Sequence, residues 1–264
     1  MHVGELDGRV ILVTGSSRGL GRAYALRLAA AGADVAVHDI AADKPAEFGE
    51  GQSIEDTVLA IREMGRRSVA VLGDVAAESD VQRMMDEVEA RLGAIDVLVN
   101  NAGGDIAARG GRRPEPNDAV GIPAADVRAV IDRNLIGTIL CCRQVAPRMT
   151  ARRRGKIINV SSMAGVHPTT EGVIYATAKA GIAFYTTCLA MQLRPFDVTV
   201  NAVAPGPTWT ARFAATRTVA TEEGKSRLQR VAQPDDVARV VQFLAGPLSD
   251  YVSGQTIPVN GGAR

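Results

Sequence analysis

Short apolar, β-branched runs alternate with longer stretches of helical period along the whole chain, and this rhythm limits the possible folds more than any other feature. Candidate strands are Val10–Thr14, Asp34–Asp39, Ser68–Val75, Ile95–Asn100, Lys156–Ser161, Val198–Val203 and Thr256–Val259. Their near-continuous apolar character, as in VILVT and IDVLV, suits strands buried on both faces of a parallel sheet. Between them lie helical patterns at about Leu20–Ala31, Ser53–Met64, Glu78–Leu92, Asp126–Arg152, Val173–Arg194 and Asp235–Leu244. The alternation predicts α/β architecture: a doubly wound, mostly parallel seven-stranded sheet with helices on both faces and right-handed crossovers. Two segments interrupt it, a Gly/Arg/Pro-rich loop at Gly104–Pro123 and a polar, Thr-rich excursion at Pro207–Gln233. No linker or repeat divides the chain, so one domain is expected over residues 1–264.

Charge narrows the class of partner. Lys+Arg number 30 against 29 Asp+Glu, a net charge of +1, which offers no global field for nucleic acid or an anionic membrane. Cys141, Cys142 and Cys188 form no C-x-x-C pair, and His2, His38 and His167 are too scattered for a metal site, so neither disulfides nor a metal is expected. The polar start MHVGELDGRV lacks an apolar leader core, and the expectation is a soluble cytoplasmic protein.

The first strand runs into Thr14-Gly15-Ser16-Ser17-Arg18-Gly19-Leu20-Gly21 at the opening of a helix. Glycines there let backbone N–H groups approach a phosphate, and a helix N-terminus adds partial positive charge. The spacing is G-x-x-x-G-x-G rather than G-x-G-x-x-G, and a glycine cluster alone is equally a turn. Its position after the first strand, with Asp39 ending the second, points to a dinucleotide. An acid at that offset accepts hydrogen bonds from an adenine ribose.

Tyr175 and Lys179 stand four apart in VIYATAKAGIAFYTT, on one face of a helix. Tyrosine ordinarily titrates near pH 10, so acid/base work at neutral pH needs a neighbouring cation. With four Lys and four Tyr in the chain, chance predicts about 0.06 such pairs. A buried lysine without a task would be costly. Upstream, Ser161-Ser162 brings hydroxyls to the carboxyl edge of the sheet, and the strand pattern does not separate the two.

Taken in order, Thr14–Gly21, Asp74-Val75, Asn100-Asn101-Ala102-Gly103, Asn134, Ser162, Tyr175-x-x-x-Lys179 and Pro205-Gly206 resemble the short-chain dehydrogenase/reductase family. The resemblance runs from Leu6-Asp7-Gly8-Arg9 to Val259-Asn260-Gly261-Gly262. It implies a Rossmann-type fold and a catalytic tetrad of Asn134, Ser162, Tyr175 and Lys179. Ser162 is preferred over Ser161 because the family places its serine 13 residues before the tyrosine. In that scheme Tyr175 exchanges a proton with the substrate oxygen while hydride passes to or from nicotinamide. Lys179 lowers the tyrosine pKa and holds the nicotinamide ribose, Ser162 stabilises the developing alkoxide, and Asn134 holds a water. The resemblance also assigns Gly15, Ser17, Arg18, Gly19, Leu20, Gly21, Asp39, Ile40, Asp74, Val75, Asn101, Ala102, Gly103, Tyr175, Lys179, Pro205, Gly206, Thr208 and Thr210 to the cofactor.

Asp39 opposes the 2′-phosphate of NADP and suits the free hydroxyl of NAD, whereas Arg18 pulls toward NADP and Ile40 adds no second cation. NAD is the expected cofactor. Trp209 and His167 are candidates for the substrate wall, and Pro207–Gln233 for a lid. The expected function is NAD(H)-dependent oxidoreduction of a secondary alcohol or ketone, a small molecule, by a homo-oligomer, dimer or tetramer. An NADPH-dependent 3-oxoacyl-thioester reductase, or a non-catalytic dinucleotide sensor on the same fold, are the alternatives.

Overall fold

A computed structural model describes residues 4–216 and 226–263. Its strands are β1 (Val10–Val13), β2 (Asp34–Asp39), β3 (Ser68–Leu72), β4 (Val97–Asn100), β5 (Gly155–Val160), β6 (Val198–Pro205) and β7 (Thr256–Val259). They form one sheet in the order β3-β2-β1-β4-β5-β6-β7, every pairing parallel. The connecting helices are α1 (Gly19–Ala30), α2 (Ile54–Glu63), α3 (Glu78–Leu92), α4 (Ala124–Ile131), α5 (Gly137–Arg152), α6 (Val173–Leu193), α7 (Ala211–Thr216) and α8 (Pro234–Ala245). Strand order reverses between β1 and β4, and a crevice opens there at the carboxyl ends of the strands, as doubly wound sheets require.

The pleat divides the core. Val10 and Leu12 face one way with Met84, Cys142, Val145 and Met149, while Ile11 and Val13 face the other with Tyr24, Leu28, Ile61 and Val241. Both faces are therefore dry, which is why VILV is unbroken. Local signals set the helix starts: Ser53 and Asp56 form a capping box on α2, and Pro234 occupies the first turn of α8.

Three departures from the periodicity bear on function. β3 ends at Leu72 rather than Val75, because Asp74 turns the chain over the sheet edge, its Oδ1 accepting the Ala76 N–H at 2.9 Å. The expected helix Asp126–Arg152 is interrupted by a π-helical turn over Asp132–Ile136, with Asn134 inside it. Helix α5 then begins at Gly137, where a Cβ would come 2.6 Å from Val75 Cγ2. Third, the excursion from Pro207 contains α7, and its base is pinned by Trp209 N–H to Ala232 O at 2.8 Å. Residues 217–225 of the expected lid lie outside the described residues. Helix α6 is long and apolar enough to cross a membrane by composition, yet it packs along β6 and carries Lys179 on its inner side.

Candidate active site

A cleft of about 820 Å³ opens over the β1/β4 edge. Its floor is the glycine loop, which other elements hold from below. Thr14 Oγ1 accepts both the Asn101 and Ala102 N–H groups at 3.0 Å, and Asn101 Nδ2 donates to the Thr14 and Gly15 carbonyls at 2.9 and 2.8 Å. A Cβ on Gly15, whose φ is +61°, would stand 2.8 Å from Ala102 Cα; one on Gly21 would collide with the Gly15 carbonyl. His38 completes the brace. Its Nδ1 accepts the Gly15 N–H at 3.1 Å and its Nε2 donates to Gly73 O at 3.0 Å, an arrangement that requires neutral imidazole. Burial lowers the His38 pKa accordingly.

Carboxylates crowd the β2 end of the cleft. Asp39 accepts from Ser17 Oγ and, at 2.9 Å, from the Ile40 N–H, so the acid is oriented by its neighbours. Ser17 is buried beneath it and does not line the cleft; its role here is to orient Asp39. Arg18 is paired with Glu47 at 3.3 Å and lies over the Phe48 ring, 4.6 Å from its centroid. Helix α1 has no side-chain cap of its own. Glu50 supplies one from the β2–α2 connection, its Oε2 accepting the Gly19 N–H at 2.7 Å, while Oε1 is buried without a partner. An anion thus already rests on the first turn of α1, the place where a helix terminus favours one. Asp74 and Val75 line the same end.

At the β5 end, Tyr175, Lys179 and Ser162 all face the cleft. The lysine Nζ lies 5.6 Å from the Tyr175 ring centroid and donates to Val160 O at 2.7 Å. Burial, with Arg212 adding, pulls the Lys179 ammonium down to about 7. Tertiary contacts separate the two serines: the buried Ser161 Oγ donates to the Lys179 carbonyl at 2.8 Å, whereas half-buried Ser162 caps the short 3-10 turn Met163–Gly165. Asn134 is fully buried and stands behind the cleft wall. Its Oδ1 accepts the Gly104 N–H at 2.9 Å, and Nδ2 donates to Gly104 O at 3.0 Å and Val130 O at 2.8 Å. Both amide protons are spent on backbone, so the side chain has no donor left for a water. A Cβ on Gly103 would sit 3.5 Å from Lys179 Nζ, and the bracing of Gly104 by Asn134 keeps that approach open.

Beyond β4 the cleft turns basic. Asp105 Oδ2 accepts from Arg113 Nε at 2.7 Å and Asn117 Nδ2 at 2.8 Å, which folds the Gly104–Pro123 loop back on itself. Arg113 lines the cleft; Arg109 and Arg112 are exposed and do not. Arg133 lines it and donates to Ile106 O at 2.9 Å. Arg212, on α7, reaches over Gly104, its Nη2 lying 2.9 Å from where a Gly104 Cβ would stand. Burial lowers the pKa of both arginines.

The remaining expected cofactor residues, Leu20, Ile40, Ala102, Pro205, Gly206, Thr208 and Thr210, line the cleft. The two expected substrate residues do not, and they are corrected here. Thr208 and Thr210 turn inward, so Trp209 between them turns outward: it lines a shallow depression with Arg22, Leu26 and Pro234 and packs 6.2 Å from the Phe213 ring. His167 follows the Met163–Gly165 turn and is exposed. His38, Glu50, Arg133 and Arg212 carry no local spacing signal and emerge only from the fold. Among the described residues no cluster of three or more His, Cys, Asp or Glu could hold a metal.

The model of the short chain dehydrogenase family matches residues 9–220. A cyclohexanol dehydrogenase of Rhodococcus sp. (strain TK6) is 41% identical over 268 residues, spanning 97% of this chain and 96% of that protein. A 3-oxoacyl-(acyl-carrier-protein) reductase of Synechocystis sp. is 36% identical, spanning 97% of each. A solved 7 alpha-hydroxysteroid dehydrogenase, complexed with NADH and 7-oxo glycochenodeoxycholic acid, matches with a TM-score of 0.86 at 30% identity. The match covers 98% of this chain and 95% of that one.

Proposed function

The chain belongs to the short-chain dehydrogenase/reductase family of oxidoreductases acting on CH–OH groups, and on that premise we propose an NAD(H)-dependent enzyme that interconverts a secondary alcohol and its ketone through Tyr175. The observation that carries the reading is that Tyr175, Lys179 and Ser162 share one cleft with a braced glycine loop and an oriented strand-end acid. The cradle fits a dinucleotide. Side chains on Gly15 and Gly21 would fill it, and the first turn of α1 already attracts an anion.

In this reading Gly15, Gly19, Leu20 and Thr210 hold phosphates, Asp39 the adenosine ribose, and Asp74 and Val75 the adenine. A bound nicotinamide supplies the hydride acceptor for oxidation and the donor for reduction. In oxidation the hydroxyl proton of the alcohol passes to Tyr175 Oη as hydride leaves its carbinol carbon; in reduction Tyr175 returns the proton to the carbonyl oxygen. Ser162 Oγ donates to that oxygen as charge develops on it. Lys179, held near neutrality by burial, gains positive charge when an anion enters the cleft and then favours phenolate on Tyr175. Asn134 acts as a positioning residue, bracing Gly104 so that Gly103 and Lys179 can approach.

Preference for NAD over NADP rests on Asp39 and on Arg18. The guanidinium that would attract a 2′-phosphate is paired with Glu47 and lies over the Phe48 ring. Phe184 and Met191 on α6, 75% and 74% exposed, favour a homo-oligomer built on that face. Light scattering that returned the mass of one chain would remove the oligomer.

Tyr175→Phe tests the chemistry. Turnover, followed at 340 nm with NADH or NADPH against a ketone and alcohol panel, should fall by roughly a thousandfold, while NADH binding persists. Comparable kcat in the variant would overturn the assignment.

A further inference from the structure

Four arginines line the cleft, and three are provided for. Arg18 is paired with Glu47, Arg113 with Asp105, and Arg133 is bonded to the Ile106 carbonyl. Arg212 has neither a hydrogen bond nor an ion pair from its side chain among the described residues, although it is half-buried and faces the cleft. A desolvated guanidinium with no anion hydrogen-bonded to it is expensive, and a ligand carboxylate would satisfy it. Its placement names the ligand. The group lies over Gly104, beside the Gly103 that approaches Lys179, and its charge acts on Tyr175 and Lys179 as well as on Arg18 and Arg133, so it borders the end of the cleft that holds Tyr175. In the reading above the dinucleotide phosphates would be taken by the first turn of α1, in place of Glu50. Asp105 acts on Arg212 only through space: its Oδ2 is shared between Arg113 and Asn117, and its buried Oδ1 makes no hydrogen bond among the described residues.

We propose that Arg212 binds a carboxylate on the substrate, making this a dehydrogenase of small secondary hydroxy acids and a reductase of the corresponding keto acids. The proposal rests on the oxidoreductase reading above and narrows its substrate class. A carboxylate suits the planar fork of a guanidinium, which can donate two parallel hydrogen bonds. The anion would also restore charge on Lys179 beside Tyr175, coupling binding to the proton transfer. The balance is that of any alcohol oxidation: hydride leaves the carbinol carbon for NAD+, the hydroxyl proton leaves through Tyr175, and the carboxylate is unchanged.

The experiment compares ketone pairs in which a methyl group replaces the carboxylate and that scan the distance from carbonyl to charge: pyruvate with acetone, acetoacetate with butanone, and levulinate with 2-pentanone. In the unaltered enzyme kcat/KM for the anionic member of at least one pair should exceed that of its neutral partner by roughly ten- to a hundredfold. Arg212→Met should abolish this preference, chiefly through KM, and Arg212→Lys should restore part of it. NADH affinity, read from nicotinamide fluorescence, should be alike in all three proteins. The proposal is overturned if the neutral ketone is preferred in every pair, if Arg212→Met keeps the anion preference, or if that variant instead loses NADH affinity. Neutral ketones that turn over without any anion preference would remove this inference and leave the oxidoreductase reading standing. If no ketone turns over, binding of the same carboxylates to the NADH complex decides Arg212. Quenching lost in Arg212→Met supports it, and no difference between the proteins refutes it.

Discussion

At the β2 end of the cleft the polar groups are held by their neighbours: Asp39 by Ser17 and the Ile40 N–H, Arg18 by Glu47, and the Gly19 N–H by Glu50. Beyond β4 the balance is reversed, with Arg133 and Arg212 set in the wall and no carboxylate paired to either among the described residues. The contrast separates two ways of recognising a ligand. In the proposed reading a dinucleotide would meet a cradle preorganised by hydrogen bonds internal to the chain, so little would be lost in ordering it. The substrate, in the same reading, would meet an arginine that has no ion pair among the described residues, so affinity there would depend on what the ligand brings.

Within this contrast, the largest expected effect on cofactor affinity comes from breaking the cradle itself. Gly21→Ala drives a methyl group into the Gly15 carbonyl and toward Asn101, backbone and brace that cannot move apart without opening the loop. Overpacking of this kind costs about 1–3 kcal/mol, so NADH affinity should fall by roughly tenfold or more. A dissociation constant within twofold of the unaltered protein, measured by fluorescence, would show that the loop is less braced than described.

A second test sharpens the basic side through pH. Lys179 has its ammonium destabilised to about 7 in the fold, against an ordinary value near 10.5. Between those two pH values the unfolded chain therefore binds more protons at this site, and the contribution of Lys179 to stability rises with pH across the window. It is fully present above about 10.5 and is lost as pH falls through about 7. Denaturant unfolding of the ligand-free protein and of Lys179→Met should show a stability gap that widens in favour of the unaltered chain as pH is raised. A gap that is flat with pH would mean the amine is not desolvated.

The smallest effect concerns the acidic end. Glu50 occupies the α1 terminus as an anion and must yield to a phosphate, so Glu50→Gln should strengthen NADH binding by roughly two- to fivefold, the size of a helix-dipole interaction. Weaker binding in the variant would recast Glu50 as part of the cofactor site.

How much of this was legible before folding follows from the reach of each signal. The strands and most helices announced themselves, because burial on two faces writes an unbroken apolar run and a half-buried helix writes a period. Tyr175 and Lys179 were legible for the same reason, since four residues is one helical turn, and the glycine loop because its strand and helix flank it directly. The π turn at Asn134 was not, since one inserted residue hardly disturbs a helical pattern. Trp209 was expected inside and turned outside because an extended stretch alternates its side chains, and only the Thr208–Ala232 bridge sets which parity faces the cleft.

By itself, then, the sequence determined the parallel sheet, the glycine loop between its first strand and helix, and the Tyr175–Lys179 pair on one helical face. All of these depend on residues near one another in the chain. Tertiary structure alone decided that His38 braces Gly15, that Glu47 pairs with Arg18, that Glu50 caps α1, and that Arg212 hangs over Gly104 with no ion pair among the described residues. Those meetings join residues brought together by the sheet, and electrostatics acts through distance in space, which no spacing along the chain records.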